Sequence, residues 1–192
     1  MATMQDVRLH IPGKGHVFYA DTDAAEMTLD NFRFGDPTTY GDWTWLGDTS
    51  SENLVEFEAD GGDVTYKRTW DRTQVRAVRE DETFTGTVNS VNISRETFEL
   101  GFAGGEYVEA SKKYKIKTTG FAAQKALLIV TEDANDIAGL RLPNVEVKGS
   151  FPVFDIEEFM EIPLNLAVLS SSVDQTLFEI FEPRPYVPLT AG

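Results

Sequence analysis

The sequence predicts a mainly β fold in one domain, spanning residues 1–192, with a single short α-helix. Three observations carry this. Apolar and polar residues alternate with a period of two along most of the chain, as in strands covered on one face. The 192 residues hold no internal repeat, low-complexity stretch or linker, and a chain of this length can bury a core without disulfides or metals. One window combines a helix cap, helical spacing of apolar residues and a glycine stop.

In chain order, residues 1–12 are mostly polar and unpatterned and read as an N-terminal arm. The strand-like "GHVFYA" follows, with His16 near the surface. Leu54 to Glu58, a turn at Asp60-Gly61-Gly62 and Val64 to Trp70 are expected to form a hairpin. In its second limb Val64, Tyr66 and Arg68 alternate with Thr65, Lys67 and Thr69. Phe84 and Val88 lie in one phase, and Val91 and Ile93 in the other, so a β-bulge is expected near Ser90. The helix starts at Ser94, with Glu96 in its first turn. Phe98 and Phe102, spaced i, i+4, face a core, and Gly104-Gly105 ends it.

Further on, Tyr114, Ile116 and Thr118 alternate with Lys113, Lys115 and Lys117. A second helix candidate spans Gly120 to Lys125, ahead of an apolar strand from Ala126 to Thr131. Val145 and Val147 alternate with Glu146 and Lys148, and Ile162, Leu164, Leu166 and Val168 share one face. "EPRPYVPLTAG" carries three prolines, which favours an extended C-terminal arm, residues 183–192, over a strand. Such arms either extend into solvent or lie on a neighbour.

The formal net charge is −15. That argues against a nucleic-acid grip built on Lys and Arg and against anionic membranes. It does not exclude working beside DNA. The charges come in blocks. Phe34 to Tyr66 holds Asp36, Asp42, Asp48, Glu52, Glu56, Glu58, Asp60 and Asp63 with no base. Lys67, Arg68, Arg72, Arg76 and Arg79 follow, with Asp71 among them. Lys112, Lys113, Lys115, Lys117 and Lys125 form a second basic block. Gly149 to Pro183 holds seven carboxylates and no base. The blocks are either solvated strand faces or complementary patches for head-to-tail assembly.

Enzyme signatures are missing. There is no cysteine, hence no disulfide framework, thiolate zinc site or Cys nucleophile. His10 and His16 do not stand at metal-site spacing. "PGKGH" and "GFAGGE" fail as phosphate or dinucleotide loops. No G-x-S-x-G elbow exists. Carboxylate pairs abound, but 32 acidic residues guarantee accidental ones. Glu56, Glu58 and Asp60 before Gly61 look like the start of a calcium loop, yet the twelfth position is Lys67, where a bidentate Glu is required. Trp43, Trp45 and Trp70, with Tyr40 and Phe57, could form a carbohydrate platform, although strand aromatics more often serve a core or an interface. The N-terminal stretch lacks a signal-peptide pattern, and the run Ala126 to Val130 is too short to span a bilayer. The expectation is a soluble protein made in a cytoplasm.

The ordered ensemble "GHVFYA", "FGDPTTYGDWTWLGDTSSENLVEFEADGGDVTYKRTWDR", "VNSVNISRETFELGFAGG", "SFPVFDIEEF" and "FEPR", from about Gly13 to Arg184, resembles the major tail, or tail tube, proteins of bacteriophages with long non-contractile tails, especially those infecting actinobacteria. The resemblance implies a β-sandwich or incomplete barrel with a flanking helix, no catalytic residue and no cofactor. It further implies hexameric rings stacked into a tube around a tape-measure protein, with tail-tip and terminator proteins at the ends. The DNA leaves through the tube without specific binding or any membrane role, and the protein resides in the virion after assembly in the host cytoplasm. An additional immunoglobulin-like decoration domain of some relatives is not expected here. On this reading Asp36 to Glu58 is an inter-ring loop with Trp43, Trp45 and Leu46 as apolar anchors. Lys67, Arg68, Arg72, Arg76 and Arg79 meet acidic residues of a neighbour, for which Asp48, Glu52, Glu56, Glu58, Asp60 and Asp63 are candidates, as they are for the channel lining. The rivals are a distal tail or baseplate ring, a calcium-dependent adhesion module and a carbohydrate-binding sandwich.

Overall fold

The computed structural model describes residues 9–117 and 122–186. Among these the chain is mainly β, with one α-helix. The strands are β1 (Lys14–Ala20), β2 (Thr44–Trp45), β3 (Glu56–Gly61), β4 (Val64–Lys67), β5 (Arg76–Arg79), β6 (Glu82–Ser90), β7 (Glu106–Val108), β8 (Lys113–Lys115), β9 (Ala123–Asp133), β10 (Asp136–Gly149), β11 (Ile162–Leu169) and β12 (Glu179–Pro185), with α1 (Arg95–Gly101) between β6 and β7. The principal sheet runs β2-β1-β9-β10-β11-β6-β3, with β12 also on β10. Every pairing is antiparallel.

Strands β1 and β9 are buried on both faces, which explains the unbroken apolar run in β9. Val17, Leu127 and Ile129 point into one core, with Val145, Val147, Leu164, Leu166 and Val88 opposite. Phe18, Ala126, Leu128 and Val130 point the other way, under Met27, Leu29, Phe32, Tyr40 and Trp43. Strand β10 makes the two-layer arrangement. Its first half, Asp136–Arg141, takes β12 as neighbour, and its second half, Asn144–Gly149, takes β11. The register on β9 shifts between Leu142 and Val145, at Pro143, which has no N–H to give to a ladder. The sheet forks there and closes over the first core as an open sandwich.

Helix α1 plugs one end of that core. Ser94 is its N-cap, and its side chain accepts from the Thr97 N–H. Phe98 and Phe102 pack against the core as expected from their spacing, joined by buried Leu100. Ser94→Ala removes the side-chain oxygen that accepts from the Thr97 N–H. We expect a loss of about 1 kcal/mol, read as a lower urea midpoint with unchanged slope.

Five expectations are corrected. Strand β3 pairs with β6, not β4, and β4 pairs with β5. No bulge forms near Ser90. The strand ends there, and the Val91 N–H turns to the Asp48 carbonyl, so the phase slip marks a strand end. Residues Ala123–Lys125 open β9 instead of closing a helix; 118–121 lie outside the described residues. The first part of the C-terminal arm is a strand, because β12 is an edge strand, where proline is tolerated. A register irregularity between Ile137 and Gly139 absorbs Glu182-Pro183. Tyr186 is buried in the second core, and 187–192 fall outside the description. His16 is buried, stacked on Phe34 at 3.6 Å with Nε2 3.0 Å from Glu132. Burial holds its pKa below the ordinary value, against the pull of the Glu132 carboxylate. Of the N-terminal arm, residues 9–12 are described. There His10 Nε2 lies 2.9 Å from Thr131 Oγ1, and the Ile11 N–H donates to Asp133.

Candidate assembly surfaces

The acidic stretch that ends in Asp60-Gly61-Gly62 is neither a calcium loop nor a hairpin turn. Glu56, Glu58 and Asp60 lie on one strand face, opposite Thr87, Thr85 and Thr83. Alternate residues of a strand stand about 7 Å apart, so these carboxylates spread along the sheet instead of converging. The glycines form a joint. Gly61 and Gly62 have φ of +92° and +74°, and a Cβ on Gly61 would stand 2.3 Å from the Asp81 carbonyl oxygen. Here the chain leaves the principal sheet. The Glu80 N–H donates to the Asp63 carbonyl, and the ladder resumes as β4–β5.

The result is a two-stranded ribbon that projects beyond the sheet. Every residue from Asp63 to Thr83 is exposed. The alternation in β4 therefore does not mark a strand half-buried within its own chain: Val64 and Tyr66 lie open on one face and Lys67 on the other. Trp70, at the tip, is 102% exposed. Lys67 stands directly opposite Arg76 in the register, and like charges so placed repel. Among the described residues the ribbon's one ion pair is Arg79 with Glu82, at 3.8 Å. Lys67, Arg68, Arg72 and Arg76 have no carboxylate within ion-pair distance among the described residues. The second basic block differs. Lys115 and Lys117 approach Glu106 at 3.9 and 3.8 Å, Lys112 pairs with Glu109, and Lys125 with Asp21 at 2.7 Å.

A second surface is the outer face of the β10-β11-β6-β3 half-sheet. The register lines up Lys148, Asn165, Thr87 and Glu56 across the strands, and Glu146, Ala167, Thr85 and Glu58 beside them. The inner face of the same strands is core, so this side is polar by simple alternation. Strand β3 is the open edge of this half-sheet.

A third surface went unread in the sequence. Between β10 and β11, Phe151, Phe154, Ile156 and Phe159 are 92, 77, 99 and 82% exposed, interleaved with Asp155, Glu157 and Glu158. The usable signal was four large apolar residues without strand or helix period, close around Pro152 and ahead of Pro163. Nearby, the Glu158 carboxyl is pushed above its ordinary range by a hydrogen bond to, and the charge of, Glu52.

The expected apolar anchors separate. Trp43 and Leu46 are core residues, 4 and 3% exposed, and the Trp43 indole N–H donates to the Ala25 carbonyl at 2.8 Å. Residues 36–58 are thus not a free loop: a 3₁₀ turn at Pro37–Thr39 and the β1–β2 pairing tie them down. Trp45 is 38% exposed and packs edge-on against Phe34. With Trp43 and Tyr40 in the core and Trp70 on the ribbon, the aromatics make no carbohydrate platform. The acidic candidates also divide. Glu56 and Glu58 sit on the polar sheet face, Asp60 and Asp63 at the ribbon joint, and Asp48 and Glu52 at the opposite end of β6, beside Glu157, Glu158 and Glu161.

The sequence model of a family described as phage tail tube protein matches residues 1–189. The chain is 28% identical over 165 residues to the major tail protein Gp23 of Mycobacterium phage D29, covering 81% of each chain. It is 25% identical over 175 residues to the major tail protein Gp23 of Mycobacterium phage L5, covering 85% of this chain and 86% of that one.

Proposed function

We propose that this chain, which belongs to the phage tail tube protein family and is a structural component of the virion tail, closes into hexameric rings that stack into the tail tube. The tape-measure protein occupies the channel during assembly, tip and terminator proteins bound the tube, and the genome later leaves through it. The carrying observation is the open edge at β3. Glu56–Gly61 pair on one side only and are exposed, a liability that a neighbouring subunit removes by continuing the sheet. A repeated rotation that closes yields a ring, and translation of rings yields a tube.

The polar outer face of the half-sheet then lines the channel. Lys148 stands there as a single base; the carboxylates, threonines and asparagine around it offer DNA phosphates no cationic row to hold, so the duplex slides. Glu146→Lys with Thr85→Lys, on the same face but away from the edge strand, is expected to leave the tube intact and make it retain duplex DNA at low salt, releasing it as salt rises; wild-type tubes retain none. Equal DNA recovery from both at low salt would count against this lining.

Negative-stain electron microscopy of the concentrated protein tests the reading as a whole. Hollow tubes of uniform width are expected. Single rings that never stack would favour a distal tail or baseplate role, and a chain showing neither rings nor tubes, even with tail-tip complexes added, would overturn it.

A further inference from the structure

We infer that the ribbon tip of one copy seats in an acidic, aromatic-edged hollow of a second copy, lined by Asp48, Glu52, Glu157, Glu158, Phe159 and Glu161. The inference rests on the tail-tube reading and names the surfaces that join its subunits.

Geometry excludes a contact within one chain and sets the direction of the contact between chains. The ribbon leaves the sheet at the Glu82 end of β6, where Gly61 pairs with Glu82. The hollow lies at the Ser90 end, where Ser90 pairs with Ile162 and bridges Thr49. Eight residues separate those ends, about 26 Å at a strand rise of about 3.3 Å, and β3 runs from the Thr87 side toward Glu82 before the chain enters the ribbon. Donor and receptor at opposite ends of one strand make a heterologous, head-to-tail contact, which propagates by translation.

Charge matches the two surfaces. From Lys67 to Arg79 the ribbon carries five bases and one acid, and Gly149 to Pro183 carries no base at all. Each side is electrostatically strained when alone. Lys67 faces Arg76 with no carboxylate at ion-pair distance among the described residues, and the pKa of Glu158 is raised by its neighbour Glu52. Guanidinium groups entering the hollow relieve both, and bidentate Arg–carboxylate pairs supply orientation as well.

Apolar surface matches too. Trp70 stands fully open on the donor, and Phe151, Phe154 and Phe159 on the receptor loop. Large exposed aromatics beside unpaired charges are the composition of an interface core with its rim, and phenylalanine faces also receive arginine. A second copy satisfies all these groups at once.

The chain has no cysteine, so introduced thiols report on one contact. Thr73→Cys at the ribbon tip and Glu157→Cys at the hollow are made singly and together and oxidised mildly. The double variant is expected to give a ladder of covalent multimers that collapses on reduction. An equimolar mixture of the single variants is expected to stop at dimers, and each single variant to stay monomeric on the gel. Rings or tubes by microscopy without a Thr73–Glu157 adduct would overturn the pairing and leave the tail-tube reading standing. Adducts in the Thr73→Cys variant alone would mean that tip meets tip and would overturn it as well. Neither particles nor adducts would overturn both.

Discussion

Trp43→Ala is expected to destabilise the folded chain by about 3–5 kcal/mol, the range for emptying a large aromatic site in a packed core. Trp43 sits in the core formed by Phe18, Phe32, Tyr40 and Leu128, and its indole N–H has the Ala25 carbonyl as partner. Removing it leaves a cavity and a carbonyl without its donor, and both costs act together. Trp45→Ala is expected to cost only about 1 kcal/mol, the scale of its one aromatic pair with Phe34. The measurement is the urea midpoint of each variant at equal slope. A Trp43→Ala protein with an unshifted midpoint but no tubes would instead make this residue an inter-subunit anchor.

Arg72→Glu with Arg76→Glu is expected to abolish tube formation while leaving the monomer folded. Both side chains are on the exposed ribbon and lack carboxylate partners among the described residues, so reversal breaks no contact within the chain. Surface changes of that kind stay within about 0.5 kcal/mol. Assembly is different, because each ribbon tip would then present four added units of negative charge, relative to the wild type, to an acidic hollow. Like charges juxtaposed at an interface cost several kcal/mol, and the penalty recurs at every subunit. The measurements are circular dichroism and melting temperature on one side, and sedimentation with negative-stain microscopy on the other. Normal tubes from this variant would remove the basic ribbon from the assembly mechanism. A melting temperature lowered by many degrees would show that the ribbon folds back onto its own chain.

Much of the fold was legible because its signals are local. Strands β10 and β11 declare themselves by alternation, in Val145-Glu146-Val147 and Ile162 to Val168, and β1 and β9 by short apolar runs, in "GHVFYA" and before Thr131. Helix α1 was legible from Ser94 and the spacing of Phe98 and Phe102, since a cap and one face are set within two turns. The family was legible from an ordered set of segments. The assembly surfaces were legible only in part. The basic residues of the ribbon stood out as a block of five with one acid among them, whereas the 151–159 loop, quoted only for the family resemblance, carries no period that marks it as a surface.

What the sequence determined by itself is therefore the type and order of most elements, the separation of charge into blocks, and the family. The tertiary structure decided which aromatics are covered and which strands pair. Trp43 and Trp70 each have an Asp and a Thr as direct neighbours, yet one is 4% and the other 102% exposed. The difference arises because residues 21–43 fold back over β1 and β9, while none of the described residues covers the ribbon. Asp60-Gly61-Gly62 has the composition of a turn, but the Gly61 backbone makes a joint between two ladders, since β3 finds its partner in β6 about twenty-five residues away. Periodicity is a property of the local backbone and can be read along the chain. Burial and pairing are contacts between distant segments, and the same local pattern is compatible with a core, a solvent face or a surface held for another subunit.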